Sequence, residues 1–208
     1  MATNYDKIAG IYDLLSRIVF GPYIVKAQVC LIKYINPNSK ILVVGGGTGW
    51  VLEELTKQHP SGLVIDYVES SAKMVGLSEK RNFGGNTVNF ITLPIEDFTT
   101  VNQYDVIFTP FLFDNFKPDK TTFVFNALHT LLKSGGLWLY ADFIYVDGQG
   151  TIWQKLLLKI MYFFFWVTSN IETNEIENME PYFALGYIKI FDAWFYAQFI
   201  RSVAYRKL

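Results

Sequence analysis

Ile41-Leu-Val-Val-Gly-Gly-Gly-Thr-Gly-Trp50 decides the fold. Its first four residues are apolar, the pattern of a strand buried on both faces, and glycines stand at 45, 46, 47 and 49. An apolar-periodic helix follows from Trp50 to Gln58. Strand, glycine loop and helix start form a nucleotide site of an α/β domain. Glycine lets the backbone turn sharply and approach a ligand, and the free N–H groups at the helix start attract polar oxygens. The spacing decides the kind of nucleotide. A dinucleotide fingerprint needs glycine at its first, third and sixth positions; counted from Gly45 the sixth is Trp50, and counted from Gly46 the third is Thr48. No Gly-Lys-Ser/Thr follows, which excludes a P-loop. What remains is glycine at 45, 47 and 49.

The next apolar run, Leu63 to Glu69, reads as a second strand ending on an acid, 20 positions beyond Gly49. There the second strand of a βαβ unit delivers a carboxylate to ribose hydroxyls. Ser70 or Ser71 then caps a helix running to about Asn82. The glycine loop resembles motif I of the class I S-adenosylmethionine-dependent methyltransferases, and Val68-Glu-Ser-Ser-Ala-Lys-Met74 resembles the motif that follows it. The resemblance implies S-adenosylmethionine as cofactor. It assigns cofactor contacts to Gly45, Gly46, Gly47, Thr48, Gly49, Glu69 and Ser70, and lays Met74 against the adenine.

Tyr5-Asp-Lys-Ile-Ala-Gly-Ile-Tyr-Asp13 carries two Tyr-Asp pairs seven positions apart, so both tyrosines fall on nearly one helical face. This resembles the start of the ubiquinone/menaquinone-biosynthesis methyltransferases and their small-molecule relatives, in which that helix lids the cofactor. By the resemblance Tyr12, and with it Tyr5, contacts S-adenosylmethionine.

The rest of the chain fits one domain over residues 1–208, with a helical lid at 1–36 and a Rossmann-like core at 37–208. Helices are expected at 4–18 and 23–35, on either side of Gly21-Pro22. Strands at 41–45, 63–69, 87–92, 104–109 and 137–144 alternate with helices at 49–58, 71–82 and 118–132, and Lys133-Ser-Gly-Gly136 reads as a turn. Further helices are expected at 152–167 and 174–185, the second closed by Gly186. Two last strand-like runs, 187–194 and 199–205, lie too close together to be parallel neighbours. The expected fold is therefore α/β: a Rossmann-like class I methyltransferase fold, with a seven-stranded, mostly parallel sheet, an antiparallel final strand and helices on both faces.

Composition narrows the partners. Net charge is −1 with no basic run, which argues against nucleic acid. Cys30 is the lone cysteine and His59 and His129 the lone histidines, so neither a disulfide nor a metal site is expected. The polar, mixed N-terminus carries no signal-peptide pattern, so the chain reads as cytoplasmic.

Two positions depart from the family pattern. Many members carry an acid two residues before the first glycine, where Val43 stands, and another after the third strand, where Pro94 stands. Glu96, or the backbone of Ile95, takes over beside the adenine, so Pro94, Ile95 and Glu96 are candidate cofactor contacts, as is Thr109 at the end of the fourth strand. Each missing hydrogen bond to a polar or charged ligand group costs roughly 1.5–3 kcal/mol. The alternative function is therefore a catalytically degenerate relative that binds the cofactor or a protein without turnover.

Thr109-Pro-Phe-Leu112 is only superficially like the Asn/Asp-Pro-Pro-Tyr/Phe signature of amino-group methylation, which leaves O- or C-methylation. Asp114 is the nearest candidate base; its competing role is a loop acid bonded to its own backbone. Aromatic residues make up 17% of the chain and gather at Phe111, Phe113 and Phe116 and along Ile152–Val167, a segment too short to span a bilayer. Such a helix lies in the core, in a homodimer interface, against a membrane surface or along a lipophilic pocket. The functional reading is methyl transfer to a small hydrophobic acceptor, aromatic or quinone-like.

Overall fold

The computed structural model describes residues 6, 10, 17–144 and 176–208. Tyr5, Tyr12, nearly all of the helix expected at 4–18 and the whole apolar segment 152–167 lie outside the described residues.

Seven strands form one sheet in the order β3-β2-β1-β4-β5-β7-β6. They are β1 (Lys40–Val44), β2 (Ser61–Glu69), β3 (Gly85–Thr92), β4 (Tyr104–Pro110), β5 (Leu132–Phe143), β6 (Tyr187–Phe195) and β7 (Ile200–Lys207). The first five pair in parallel, and β7 runs antiparallel to both β5 and β6. The helices are α1 (Tyr23–Ile32), α2 (Trp50–Gln58), α3 (Ala72–Ser78), α4 (Pro118–Leu131) and α5 (Glu180–Ala184). The expected sheet, with its single reversed strand, is the observed one.

Alternation along the strands divides the core. Leu42 and Val44 of β1 face Val68, Phe125, Trp138 and Phe183, while Ile41 and Val43 face Leu31, Leu52, Tyr67, Phe108 and Leu139. All of β1 but its first residue is thus buried on both faces, which is why Ile41–Val44 reads as an unbroken apolar run.

The helix expected at 23–35 ends at Ile32, the strands expected from 63 and 87 begin at Ser61 and Gly85, and three further boundaries differ for a visible reason. The helix expected at 71–82 ends at Ser78, because Ser78 turns its hydroxyl back to Val75 O and Arg81 leaves to donate to Thr48 O at 3.0 Å. The turn at 133–136 is a bulge within β5: Leu132 already pairs with Tyr104, and Leu137 resumes pairing at Val106. In the described part of 174–185 the helix spans only Glu180–Ala184, with Pro181 in its first turn and Gly186 at φ 91° just beyond it. The strand order reverses between β1 and β4, and a doubly wound sheet opens its ligand crevice there, beyond the carboxyl ends of the strands.

Candidate active site

A cleft occupies that position. Its walls are Val44, Gly45, Gly46, Gly47 and Thr48 after β1, Val68, Glu69 and Ser70 at the end of β2, and Met74 of α3. Leu93, Pro94, Ile95 and Glu96 follow β3; Pro110 ends β4, and Phe111, Leu112, Asn115 and Phe116 follow it. Trp50, Lys120, Ile24 and Gln28 complete the lining.

The glycine loop is held from below. Gly45 sits at φ 69° and Gly47 at φ 62°, left-handed conformations that a side chain would strain. Gly45 N–H donates to Val68 O at 2.9 Å, tying the loop to β2. A Cβ on Gly46 would fall inside the ring of Tyr67, which is fully buried. The Tyr67 hydroxyl reaches past that ring to donate to Gly47 O at 2.9 Å. Gly47 N–H donates in turn to Glu69 Oε2 at 3.1 Å. Both backbone groups of Gly47 are therefore fixed by side chains of β2.

Glu69 anchors two elements. Its Oε1 accepts from Ser71 N–H at 2.9 Å and from the Ser70 hydroxyl at 3.3 Å. Burial pushes the carboxyl above its ordinary range, while the N–H groups of Ser71 and Gly47 pull it down. Ser71 caps α3 by accepting from Met74 N–H at 3.2 Å, and its own hydroxyl donates to Asp6 at 2.5 Å. Asp6, 65 positions away in sequence, also accepts from Lys73 N–H at 3.1 Å. On the opposite rim Glu96 pairs with Lys120 at 2.7 Å, and the same ammonium lies 4.7 Å over the ring of Phe116.

Gly45, Gly46, Gly47, Thr48, Glu69, Ser70, Met74, Pro94, Ile95 and Glu96 thus meet in one cleft. Three candidates stand apart from its lining. Gly49, at φ 78°, forms the N-cap of α2, where a Cβ would strike Ser78. Thr109 is fully buried with its hydroxyl accepting from Trp138 Nε1 at 3.0 Å, and Pro110 faces the cleft instead. Asp114 is buried within the loop after β4, paired with Asp142 of β5. Asp142 accepts from Phe113 N–H at 3.0 Å and from Phe143 N–H at 2.9 Å, so it caps the 3-10 turn Phe113–Asn115. Burial, with Asp142 adjacent, raises Asp114 far above the carboxylate range; Asp142 rises to about 7, also chiefly through burial. Asp114 also lies outside the cleft lining, so it is not placed to take a proton from an acceptor held there.

Four residues escaped the sequence reading: Gln28, Tyr67, Lys120 and Asp142. Gln28 and Asp142 carried a signal, a polar group on an otherwise apolar helix face or strand. Tyr67 and Lys120 carried none, since an aromatic in a buried strand and a lysine early in a helix are commonplace.

Residues 41–136 match a family model described as a methyltransferase domain. The chain is 31% identical over 140 residues to malonyl-[acyl-carrier protein] O-methyltransferase 1 of Ilyobacter polytropus, covering 67% of this chain and 50% of that protein. It is 32% identical over 144 residues to the ubiquinone/menaquinone biosynthesis C-methyltransferase UbiE of Geotalea daltonii, covering 64% and 53%. The chain spans about half the length of these curated relatives. Among solved structures, the complex of DhpI with SAH superimposes with TM-score 0.69 at 16% identity, over 98% of this chain and 93% of the other. The 1,6-didemethyltoxoflavin-N1-methyltransferase of Burkholderia thailandensis superimposes with TM-score 0.63 at 15% identity, over 96% and 84%. Such identities speak for the fold alone. Residues 41–136 thus match a methyltransferase domain, on a sheet with the fold of the class I S-adenosylmethionine-dependent methyltransferases.

Proposed function

We propose that the protein transfers the methyl group of S-adenosylmethionine to a small hydrophobic acceptor. The observation that carries the cofactor half is the Gly47–Glu69 pairing at the cleft wall, with glycines at φ 69° and 62° leaving backbone bare to the ligand. Glu69 would receive the ribose hydroxyls, because a carboxylate offers about four acceptor positions and charge-assisted bonds are the stronger ones. Met74, Ile95 and Leu93 would supply apolar walls for the adenine, and Glu96 or Ile95 N–H would meet its amino edge; all four residues line the cleft.

Bound S-adenosylmethionine supplies a methyl on a sulfonium sulfur, already activated for in-line displacement, so the chain's task is mostly orientation. Support for an apolar acceptor comes from the other end of the cleft. Ile24 and Phe111 belong both to its lining and to a cluster with Phe20, Phe143, Phe199 and Tyr196. Phe143 lies 4.9 Å from both Phe20 and Phe111, ring to ring. Among the described lining residues the acids are Glu69 and Glu96, and both are engaged, by backbone N–H groups and by Lys120 respectively. The reading therefore favours an acceptor atom that arrives with its electron pair ready: a carboxylate, a phenolate or an electron-rich ring carbon. Val43, fully buried where an acid was expected, favours binding without turnover as the second reading.

S-adenosylhomocysteine should raise the melting temperature by mass action, and NADH should not. A shift with NADH alone would overturn the cofactor assignment. With the cofactor site occupied, planar apolar compounds should bind with a negative heat-capacity change. Methylated product separates the two readings; bound cofactor with no turnover of any apolar candidate supports the second.

A further inference from the structure

On the reading that the cleft holds S-adenosylmethionine, we propose that Gln28 binds the amino-acid end of the cofactor, its side-chain oxygen accepting from the ammonium group. The buried face of α1 is Ala27, Gln28, Leu31 and Ile32, and Gln28 is its polar member. It is only 5% exposed, and what it lines is the cleft, one turn after Ile24. A carboxamide withdrawn from water is unfavourable without partners, so an apolar residue would serve this face better unless a ligand completes the bonding.

Its orientation follows from its one internal bond. Gln28 Nε2 donates to Ile24 O at 3.4 Å, a long contact within the helix. That turns the amide nitrogen back along α1 and leaves Oε1 on the other side of the planar group. An acceptor there meets a need that β1 does not fill, because Val43 is fully buried against Leu31 and Leu52 and carries no charge. The acids lining the cleft are placed elsewhere: Glu69 at the glycine loop and α3, Glu96 against Lys120. Gly45, Phe111 and Gln28 line the same cleft as Glu69 and Met74, so with the adenosine assigned to the last two, the other end of the ligand falls to the first three.

Two ligands separate this role from a structural one. S-adenosylhomocysteine carries the amino-acid end; 5′-methylthioadenosine keeps the adenosine and sulfur and lacks it. Calorimetry should show Gln28→Leu, which is close in size and safe for the helix, binding S-adenosylhomocysteine about tenfold or more weakly. Its affinity for 5′-methylthioadenosine should stay within about twofold of wild type, since no contact to that ligand is lost. Gln28→Glu, which restores an acid, should keep or strengthen S-adenosylhomocysteine binding. Equal losses for both ligands, or no loss for either, would overturn the proposal while leaving the cofactor reading in place. Wild-type protein that binds neither ligand would overturn the cofactor reading, and this proposal with it.

Discussion

Asp114, within the loop that follows β4, and Asp142 form a buried carboxyl pair, and the pair sets a pH dependence that can be signed. Both groups are raised above their ordinary values, chiefly because burial disfavours the charged form. A raised acid holds more protons when folded than when unfolded. Its stabilisation is complete below the unfolded value near 3.8 and is lost as pH rises through the folded one. Wild-type melting temperature should therefore lose a component between pH 4 and about 7, where Asp142 titrates. Asp114→Asn keeps a donor for Asp142 and has no proton to lose, so the difference between variant and wild type should shrink or reverse by pH 8. A difference that stays constant from pH 5 to 8 would show that the two side chains do not share a proton. Sequence reading found Asp114 as a residue but not its circumstances, because Asp142 lies 28 positions on and in another strand. Glu69 was legible for the opposite reason: its place follows from the βαβ spacing alone, within one local unit.

The glycine loop shows how an element stores its requirements in its neighbour. Gly45 and Gly47 need glycine for backbone conformation, but Gly46 needs it for space, since the Tyr67 ring occupies the position of any Cβ. Gly46→Ala should cost about 1–3 kcal/mol, the usual range for overpacking a tight site. That corresponds to roughly 2–4 °C of melting temperature for each kcal/mol in a domain of this size. Affinity for S-adenosylhomocysteine should fall as well, because a displaced Tyr67 releases Gly47 O. Adding Tyr67→Leu makes room for the new methyl, so the double variant should be more stable than the sum of the single effects implies. Strict additivity would mean that ring and methyl never compete. Glycine spacing made the loop legible, whereas the reason for Gly46 was not, because Tyr67 is 21 positions away and reads only as a strand aromatic. The shortened α3 and the bulge in β5 were missed for a similar reason: Arg81 and Leu132 answer to Thr48 and Tyr104.

Across the molecule, a chain of hydrogen bonds joins Asp6 to the glycine loop. Asp6 takes the Ser71 hydroxyl and Lys73 N–H; Ser71 N–H is bound by Glu69, which also holds Gly47. Three segments far apart in sequence therefore meet at the start of α3. The alternation of strands and helices and the antiparallel end of the sheet could be argued from local periodicity and spacing, but this convergence is a property of the closed fold. Asp6→Ala removes a carboxylate from the α3 N-terminus, where such a charge contributes about 0.3–1 kcal/mol at an exposed helix. The loss of global stability should accordingly be small, and Ser71 still caps Met74 N–H. If the contact also fixes the N-terminal segment beside the cleft, S-adenosylhomocysteine should dissociate several-fold faster from Asp6→Ala, with its association rate little changed. Stopped-flow displacement measures both rates. An unchanged dissociation rate with a slightly lower melting temperature would reduce Asp6 to a helix cap. Faster dissociation at nearly unchanged stability would assign it the retention of the cofactor, because a stability effect alone leaves the exit rate of a ligand from the folded state unaltered.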